Sequence, residues 1–382
     1  MFTTVNPEIE QIRQMVRNFV ENEVEPFAQQ IEEEDRIPEH LIAQAKELGL
    51  FGMSIPEEYG GIGLGMVGKA AVLEQLGRTH NGFATLISAH TGIGSTGLVR
   101  LASPFLKDKY LPELATGRKT AAFALSEPGA GSDATNLSTR AEKLGNKWIL
   151  NGTKHFITNA PIADVFTVFA LTDKDKRAKG GITAFLVEKD FPGFTIGKKD
   201  KKMGLRGSYT AQLIFENCEV PEENVIGEVG MGYMAALKIL SEGRIGLAAR
   251  AVGSSQKLIE LSAAYAKERI QFGKPIASNQ AIQWMLADMA TETEAAKTLM
   301  LKAAHMVDEG KKVVKESSMA KLFASDVFNR VADKAVQIHG GMGYVSDYPV
   351  ERFYRDARIT QIYEGTNEIQ RLIISRNVLD EN

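Results

Sequence analysis

The sequence of 382 residues contains one cysteine, Cys218, and six histidines. A single cysteine cannot form a disulfide within the chain or supply a cysteine metal cluster, and the histidines show no HExxH or comparable ligand spacing. We therefore expect no disulfide and no structural metal. The near absence of cysteine also suits a reducing compartment.

Long apolar runs and an excess of one charge are missing as well. No apolar run approaches the ~18 residues that a membrane span needs, and the N-terminus lacks the basic region and apolar core of a targeting peptide. With 45 basic and 48 acidic residues the formal net charge is -3. The sequence therefore predicts a cytoplasmic protein with neither nucleic acid nor an anionic membrane as partner, and any anionic ligand must be held locally.

The length predicts two or three domains, and the first, residues 1–120, has a helical pattern. Asn6 is a capping residue and Pro7 suits the first helical position, so an amphipathic helix should begin there. Further helical patterns cover residues 38–48 and 67–77, separated by a loop rich in glycine at 55–65.

The period changes in residues 121–230. The dipeptide Asn151-Gly152 lies between two runs rich in aromatic and β-branched residues, which predicts a β-hairpin. Further strands are predicted at 164–172, 181–188 and 209–220. Short strands separated by turns, with no helices between them, favour an antiparallel sheet or small β-barrel.

Residues 231–382 return to the helical period. Gly310 is a predicted stop between two long helices. Long antiparallel helices with short loops predict a four-helix bundle, and packing alone accounts for their apolar stripes. The fold class predicted is thus multidomain α and β.

Three motifs could carry chemistry. The segment AAFALSEPGAGSDA, 121–134, frees backbone amides at Gly129 and Gly131 and adds serine hydroxyls, which suit a phosphate or the edge of a heterocycle; a tight turn without a ligand is the alternative. Phe156 and Thr158 of HFITNA share a strand face and could hold a planar cofactor, or be an ordinary buried pair. QIHGGMGY, 337–344, is either a helix end or a close backbone approach.

The segment ITQIYEGTNEIQRLIISR, 359–376, contains the acid that carries the main hypothesis. A helix should begin at about Thr366, which leaves Glu364 outside it on a backbone that Gly365 lets bend. Glu364 is either a solvated acid near the positive end of the helix or, if buried, a general base whose pKa is raised by desolvation.

The motifs IPEEYGG, LSEPGAGSDA, HFITN, RIQFGKPI, QIHGGMGY and RDARITQIYEGTNEIQR resemble, in order and spacing, the acyl-CoA dehydrogenase family, in particular its short-chain, butyryl-CoA-type branch. The resemblance covers nearly the whole chain. It implies an N-terminal helical domain, a middle β-barrel and a C-terminal helical bundle, a homotetramer, and one FAD per subunit.

The resemblance also assigns residues, with Glu364 matching the catalytic base. Arg269, Gln280 and the segment 337–341 match positions that hold the FAD pyrophosphate and adenosine across a subunit interface. The implied FAD contacts are Phe123, Leu125, Ser126, Gly131, Ser132, Phe156, Ile157, Thr158, Arg269, Gln280, Gln337, Ile338, Gly340, Gly341, Thr366, Asn367 and Glu368; the implied substrate contacts are Ser132, Ser241, Arg244, Gly365 and Arg376.

The implied reaction converts a short- to medium-chain acyl-CoA to trans-2-enoyl-CoA and passes electrons to an electron-transferring flavoprotein. The alternatives are an acyl-CoA oxidase, which reduces oxygen, and a catalytically silent acyl-CoA-binding scaffold. Some relatives carry the base on the bundle helix, at the position that is Gly243 here, next to the acid Glu242. Phe156 replaces a frequent tryptophan, and Tyr209 replaces a frequent serine in a turn near CoA.

Overall fold

A computed structural model describes residues 6–381. The N-terminal part is helical: α1 Pro7–Phe19, α2 Ala28–Glu34, α3 Glu39–Glu47, α4 Met66–Leu76, α5 Asn81–Ala89, α6 Ser95–Leu101 and α7 Pro104–Ala115. Asn6 accepts a hydrogen bond from the Glu8 amide at 2.9 Å and Pro7 opens α1, so the predicted helix start is confirmed. Helices α3 and α4 confirm the other two helical patterns.

The middle part is a sheet of eight strands: β1 Ala121–Ala124, β2 Arg140–Leu144, β3 Lys147–Thr158, β4 Val165–Leu171, β5 Ile182–Glu188, β6 Phe194–Lys199, β7 Thr210–Pro221 and β8 Val225–Ile226. The strand order is β6-β7-β3-β2-β4-β5-β8, with β1 also paired to β4. Strands β4, β5 and β7 confirm the three strands predicted after residue 160.

The prediction of an antiparallel barrel is wrong in two respects. Strand β4 pairs in parallel with both β1 and β2, and within residues 6–381 no pairing of β6 with β8 closes the sheet. Parallel neighbours need a long crossover. The loop 125–139 and the β2-β3 hairpin supply it between β1 and β4, and local sequence patterns do not reveal such a distant pairing.

The predicted hairpin turn at Asn151-Gly152 is also wrong, because β3 runs straight through it. The turn lies earlier, at Gly145 and Asn146, where Leu144 pairs with Lys147 and Gly145 has φ of 62°. Gly152 instead marks a bulge against β7. Its φ is 147°, and a Cβ there would lie 2.6 Å from the Thr139 Cα, so glycine is needed for close approach rather than for a turn.

The C-terminal part contains α8 Gly232–Glu268, the short strands β9 Ile270–Gln271 and β10 Lys274–Pro275, and then α9 Gln280–Asp308, α10 Val314–His339, α11 Val350–Ile359 and α12 Asn367–Glu381. Gly310, with φ of 73°, separates α9 from α10 as predicted. Helices α8, α9 and α10 pack on one another and α12 packs on α10, which forms the helical bundle. None of the helices within residues 6–381 is long and apolar enough to cross a membrane.

The three parts share their apolar cores. One core combines N-terminal residues such as Leu73 with bundle residues such as Leu258 and Phe328, and a second joins α6 and α7 to the sheet and the start of α8. Burial of this apolar surface is the main stabilising contribution. It places α8 in the middle of the molecule, where its first half can reach all three parts.

A polar network adds a further link at Glu32. Its carboxylate pairs with His80 Nε2 at 2.9 Å and with Arg355 of α11 at 2.6 Å, and its carbonyl accepts from Arg206 of the middle part at 2.9 Å. Burial alone would raise the pKa of Glu32, but the hydrogen bonds and charges of His80 and Arg355 lower it to about 2. All three parts therefore meet at one residue, Glu32.

Candidate active site

Glu364 lies on a sharply bent segment between α11 and α12. Its φ is 55° and that of Gly365 is 88°, so two successive residues adopt the left-handed conformation, which is strained for a glutamate. Thr366 then caps α12 by accepting from the Ile369 amide at 3.3 Å, which confirms the predicted helix start to within one residue. The bend directs the carboxylate of Glu364 toward α8.

Side chains from three helices hold the bent segment. Arg244 of α8 donates to the Glu364 carbonyl at 3.5 Å, Lys321 of α10 donates to the Gly365 carbonyl at 2.9 Å, and Gln370 of α12 donates to both carbonyls, at 3.2 and 2.8 Å. A strained backbone persists only where its surroundings specify it in this way. The position of Glu364 is therefore set by the bundle rather than by its own segment.

The carboxylate itself is left incompletely bonded. Glu364 Oε2 is buried and has no hydrogen-bond partner in the described part of the chain. Desolvation raises the pKa of Glu364, and four cations oppose this in the order Arg250, Arg244, Lys321 and Lys69. The solvated-acid alternative does not hold. This glutamate is a desolvated carboxyl group with a free oxygen, which is what proton abstraction requires.

The lysines of this group are themselves affected by burial. Desolvation lowers the pKa of Lys69 to about 8, and it does the same for Lys321, although Glu364 raises both values in part. Lys69 donates to the Thr91 carbonyl at 2.9 Å, and Lys321 also donates to Asn367 Oδ1 at 2.8 Å. The site therefore carries more buried cations than carboxylates.

Gly243 of α8 faces the carboxylate directly. A Cβ at this position would lie 2.6 Å from Glu364 Oε2 and 2.8 Å from Ile93 Cγ2. The neighbouring Glu242 does not share this space, since it pairs with Arg100 at 3.3 Å. The sequence analysis considered positions 243 and 364 for the base. The two lie next to each other in the structure, and only Glu364 has a carboxylate.

The loop between β1 and β2 is attached to β3 by a buried ion pair that the sequence analysis missed. Glu127 and Lys154 are both fully buried and 2.8 Å apart. Glu127 also accepts from the Ser138 amide and hydroxyl and from the Thr139 amide, and Lys154 also donates to the Leu125 carbonyl. Although burial would raise the pKa of Glu127, Lys154 and the other donors lower it to about 2. The acid of SEPG and the lysine ahead of HFIT gave no local sign of this pairing.

The loop and the strand present an open face beside this ion pair. Phe156 has φ of 59°, lies on a bulge of β3, stacks on His155 at 3.9 Å and is 65% exposed. The His155 amide donates to the Ser126 carbonyl at 2.9 Å, which joins the two motifs. Thr158 is partly exposed on the same strand. Phe156 is therefore not a member of an ordinary buried pair.

This face fits the flavin that the sequence motifs imply. Ser132 is exposed and Ser126 partly so, and a Cβ at Gly129 or Gly131 would meet nothing within 4 Å, so the loop amides and hydroxyls face open space next to an exposed aromatic ring. By contrast, the side chains of Phe123, Leu125 and Ile157 belong to the cores behind this face.

The remaining predicted residues fall into separate groups. Asn367 is buried and bonds Lys321, Ser325 and Asp326, whereas Glu368 and Arg376 are exposed on α12, and Ser241 bonds the Leu237 carbonyl. The group distant from Glu364 consists of Arg269, Gln280, Gln337, Gly340 and Gly341, which are exposed, and Ile338, which is buried. Gln337 follows Lys321 by sixteen positions along α10, about 24 Å. The structure therefore does not bring this last group to Glu364.

Two surface grooves, of 240 and 480 Å³, lie elsewhere. They are lined largely by charged residues around Asp35, Arg206 and Arg355. Neither contains a predicted site residue, and their open, charged walls lack the desolvated character of the space at Glu364.

Family models match the chain in three consecutive ranges. They are those of the acyl-CoA dehydrogenase N-terminal domain at residues 6–118, the middle domain at 122–218 and the C-terminal domain at 230–379. The N-terminal helices, the sheet and the bundle, with a glutamate whose Oε2 is buried against the bundle, are thus those of a flavoenzyme family. The chain belongs to the acyl-CoA dehydrogenase family.

Curated relatives agree over nearly the whole length. The acyl-CoA dehydrogenase of Bacillus subtilis is 49% identical and the alignment covers 96% of this chain and 97% of the relative. The acryloyl-CoA reductase (NADH) of Anaerotignum propionicum is 46% identical, covering 97% of this chain and 94% of the relative.

Solved structures give the same result. Butyryl-CoA dehydrogenase of Megasphaera elsdenii superposes with a TM-score of 0.97 at 40% identity, covering 99% and 100% of the two chains. A chain from a study of the electron transferring flavoprotein of Acidaminococcus fermentans gives 0.97 at 43%, with coverage of 99% and 100%. An acyl-CoA dehydrogenase of Bacillus anthracis in complex with FAD gives 0.93 at 40%, covering 99% of this chain and 68% of that one.

Proposed function

We propose that this protein is an FAD-dependent acyl-CoA dehydrogenase that converts a short- to medium-chain acyl-CoA to its trans-2-enoyl-CoA. One observation carries the proposal: Glu364 is held on a strained backbone with a buried oxygen that has no partner in residues 6–381, and burial raises its pKa. That is the state of a general base before it takes a proton. In this role Glu364 removes the α-proton of the thioester.

The substrate carbonyl needs a hydrogen-bond donor, because an α-proton is acidic only when the developing enolate is stabilised. The Glu364 backbone amide donates to no described group. We assign it to the thioester oxygen, so that one residue presents both an amide and a carboxylate to the substrate. Gly365 permits this geometry, and Ser241, Arg244 and Arg376 are assigned to substrate contacts further along the CoA chain.

FAD is the assigned cofactor, and it supplies a hydride acceptor when bound. The segment 125–132 with Phe156 and Thr158 would hold its ring system, and the start of α12 at Thr366 to Glu368 would add contacts. Arg269, Gln280 and the segment 337–341 would bind the pyrophosphate and adenosine of a neighbouring subunit's FAD in a homotetramer. For the segment 337–341, its separation along α10 from Lys321, which contacts the Glu364 segment, supports a role at a neighbouring subunit rather than in the same one.

We assign the electrons to an electron-transferring flavoprotein and the protein to the cytoplasm. The first assignment is supported by the structural similarity to a chain from a study of such a flavoprotein. The second depends on the near absence of cysteine. The 46% identity to an acryloyl-CoA reductase makes the reverse reaction, reduction of a 2-enoyl-CoA, the second candidate function.

The test is an anaerobic titration of the purified protein with butyryl-, hexanoyl- and octanoyl-CoA, with flavin absorbance near 450 nm as readout. Bleaching by a saturated acyl-CoA is expected for a dehydrogenase, and Glu364→Gln should hold flavin and thioester without bleaching. A flavin that no thioester reduces would contradict the proposal, as would an active Glu364→Gln protein.

Three further readouts separate the rival functions. Rapid peroxide formation with acyl-CoA in air would favour the oxidase. Reoxidation of reduced enzyme by crotonyl-CoA faster than reduction by butyryl-CoA would favour the reductase. A colourless protein that binds acyl-CoA would favour the silent scaffold.

A further inference from the structure

Arg250 lies in the buried middle of α8 and has no acidic partner. It is 5% exposed. Its guanidinium donates to Thr85 Oγ1 of α5 at 2.8 Å and to the Tyr363 hydroxyl at 3.0 Å, and its Nε has no partner in the described part of the chain. No carboxylate of residues 6–381 forms an ion pair with it. Its two partners are neutral hydroxyls.

A buried guanidinium stays charged, so it normally pairs with a carboxylate. Arg78 pairs with Glu21 and Glu260, and Arg352 pairs with Glu25. Of the four arginines buried in the described residues, only Arg244 and Arg250 lack such a partner, and both are among the cations that act on Glu364. The unpaired charge is thus confined to the candidate active site.

The position of Arg250 along α8 relates it to the acyl chain. Gly243 faces the Glu364 carboxylate, and Arg250 follows by seven positions, which returns to the same face of the helix about 10 Å further on. The first turns of α8, residues 232–242, mix buried and exposed positions, whereas every residue from Gly243 to Ser255 is buried. Moving along α8 from these first turns past Gly243 to Arg250 therefore leads from a partly exposed stretch into the interior.

An acyl-CoA bound with its α-carbon at Glu364 and its CoA portion toward Ser241 directs the far end of the acyl chain at Arg250. The Tyr363 hydroxyl, next in the chain to the base, meets the same guanidinium. We propose that Arg250 is the distal recognition group of the acyl site and that the preferred substrate is an acyl-CoA whose far end carries a carboxylate. This inference rests on the proposed function and names its substrate class.

The charges of the site support a carboxylate rather than an apolar end. Arg250, Arg244, Lys321 and Lys69 surround Glu364, while Glu242 is already paired with Arg100. A carboxylate on the substrate would offset part of this excess of positive charge. The forked N–H donors of an arginine bind a carboxylate in a bidentate manner, and a charge-assisted pair in a desolvated site is strong. An alkyl end would leave the guanidinium unpaired.

The experiment compares acyl-CoA pairs of equal length on the holoenzyme: pentanoyl- with glutaryl-CoA and hexanoyl- with adipyl-CoA. Dissociation constants are measured with Glu364→Gln, and flavin bleaching with the wild type. The carboxylated member of each pair should bind roughly tenfold to a hundredfold more tightly, the range of one charge-assisted hydrogen bond. Arg250→Gln in the same background should abolish or reverse the preference, and Arg250→Lys should retain part of it.

Two results overturn the inference. Preference of the wild type for the neutral member of each pair is one. The other concerns Arg250→Gln. If this variant loses activity toward hexanoyl-CoA and adipyl-CoA by the same factor and its pH profile changes, Arg250 acts on the ionisation of Glu364 and not on the substrate. Failure of the proposed function looks different, since then no member of either pair bleaches the wild-type flavin.

Discussion

Glu127 and Glu364 are both desolvated glutamates in sequence motifs of the predicted site, yet their surroundings are opposite. Both Glu127 oxygens accept hydrogen bonds, one from Lys154 and the Thr139 amide and the other from Ser138, and its pKa is lowered to about 2. Glu364 has one oxygen with no partner in the described residues, and its pKa is raised.

The difference separates two uses of the same side chain. A carboxylate whose two oxygens both accept hydrogen bonds stays ionised and orders the groups around it. In a desolvated site, a carboxylate oxygen that accepts no hydrogen bond makes the ionised form unfavourable, and protonation relieves this cost. Glu127 thus positions the loop predicted to hold the flavin, and Glu364 is available for chemistry.

The largest effect is expected for Glu364→Gln, which keeps shape but removes basicity. Flavin reduction by acyl-CoA should fall by roughly 10²- to 10⁴-fold, the contribution of one general base. Stopped-flow absorbance near 450 nm measures it. Flavin content and melting temperature are the controls. Both should be retained, because the substitution removes a desolvated charge that is not stabilised by a full set of hydrogen bonds.

The corresponding test for Glu127 is Lys154→Met. It leaves Glu127 buried without its cation, so the free energy of unfolding should drop by about 3–5 kcal/mol, as for other broken buried ion pairs. Urea unfolding and flavin retention measure the two effects. The double variant Glu127→Gln with Lys154→Met should recover much of the stability. A single variant as stable as the wild type would show that the pair does not hold the loop.

Gly243→Ala disturbs Glu364 without touching its chemistry. The new Cβ would lie 2.6 Å from Oε2 and 2.8 Å from Ile93, so the carboxylate must move. We expect kcat for acyl-CoA to fall by roughly tenfold to a hundredfold, as for a displacement of about 1 Å. The control is Gly246→Ala on the same helix, whose Cβ would meet only Leu73 Cδ1 at 3.0 Å. Equal losses in both would argue against a specific role for the space at Gly243.

The smallest effect concerns pH. Glu127 and Glu32 have pKa values lowered from 4.5 to about 2, so their stabilisation is complete above pH 4.5 and is lost as pH falls toward 2. Glu364 has the opposite sign: its pKa is raised, so its ionisation opposes folding as pH rises above 4.5. Urea unfolding at pH 7, 4.5 and 3 should show a smaller acid-induced loss for the Glu127→Gln, Lys154→Met double variant than for the wild type. An identical loss would mean that Glu127 titrates normally.

The sequence predicted well those elements that depend on neighbouring residues. The start of α1 at Asn6 and Pro7, the stop at Gly310 and the start of α12 near Thr366 follow from caps and φ preferences, which act within one helical turn. It misjudged elements that depend on distant partners. Asn151-Gly152 has the chemistry of a turn, but pairing with β7 makes it a bulge. The parallel contact of β1 with β4 likewise has no local signal.

By itself the sequence determined the family, the order of helices and strands, and the isolation of Glu364 just ahead of a helix, because motifs and hydrophobic periodicity are local properties of the chain. Only the tertiary structure decided which glutamate has hydrogen-bond partners for both carboxylate oxygens and which has one oxygen without a partner. Lys154 meets Glu127 from 27 positions away, and Arg244 meets Glu364 from 120. Desolvation and Coulomb interactions depend on distances in space, and folding alone brings these groups together.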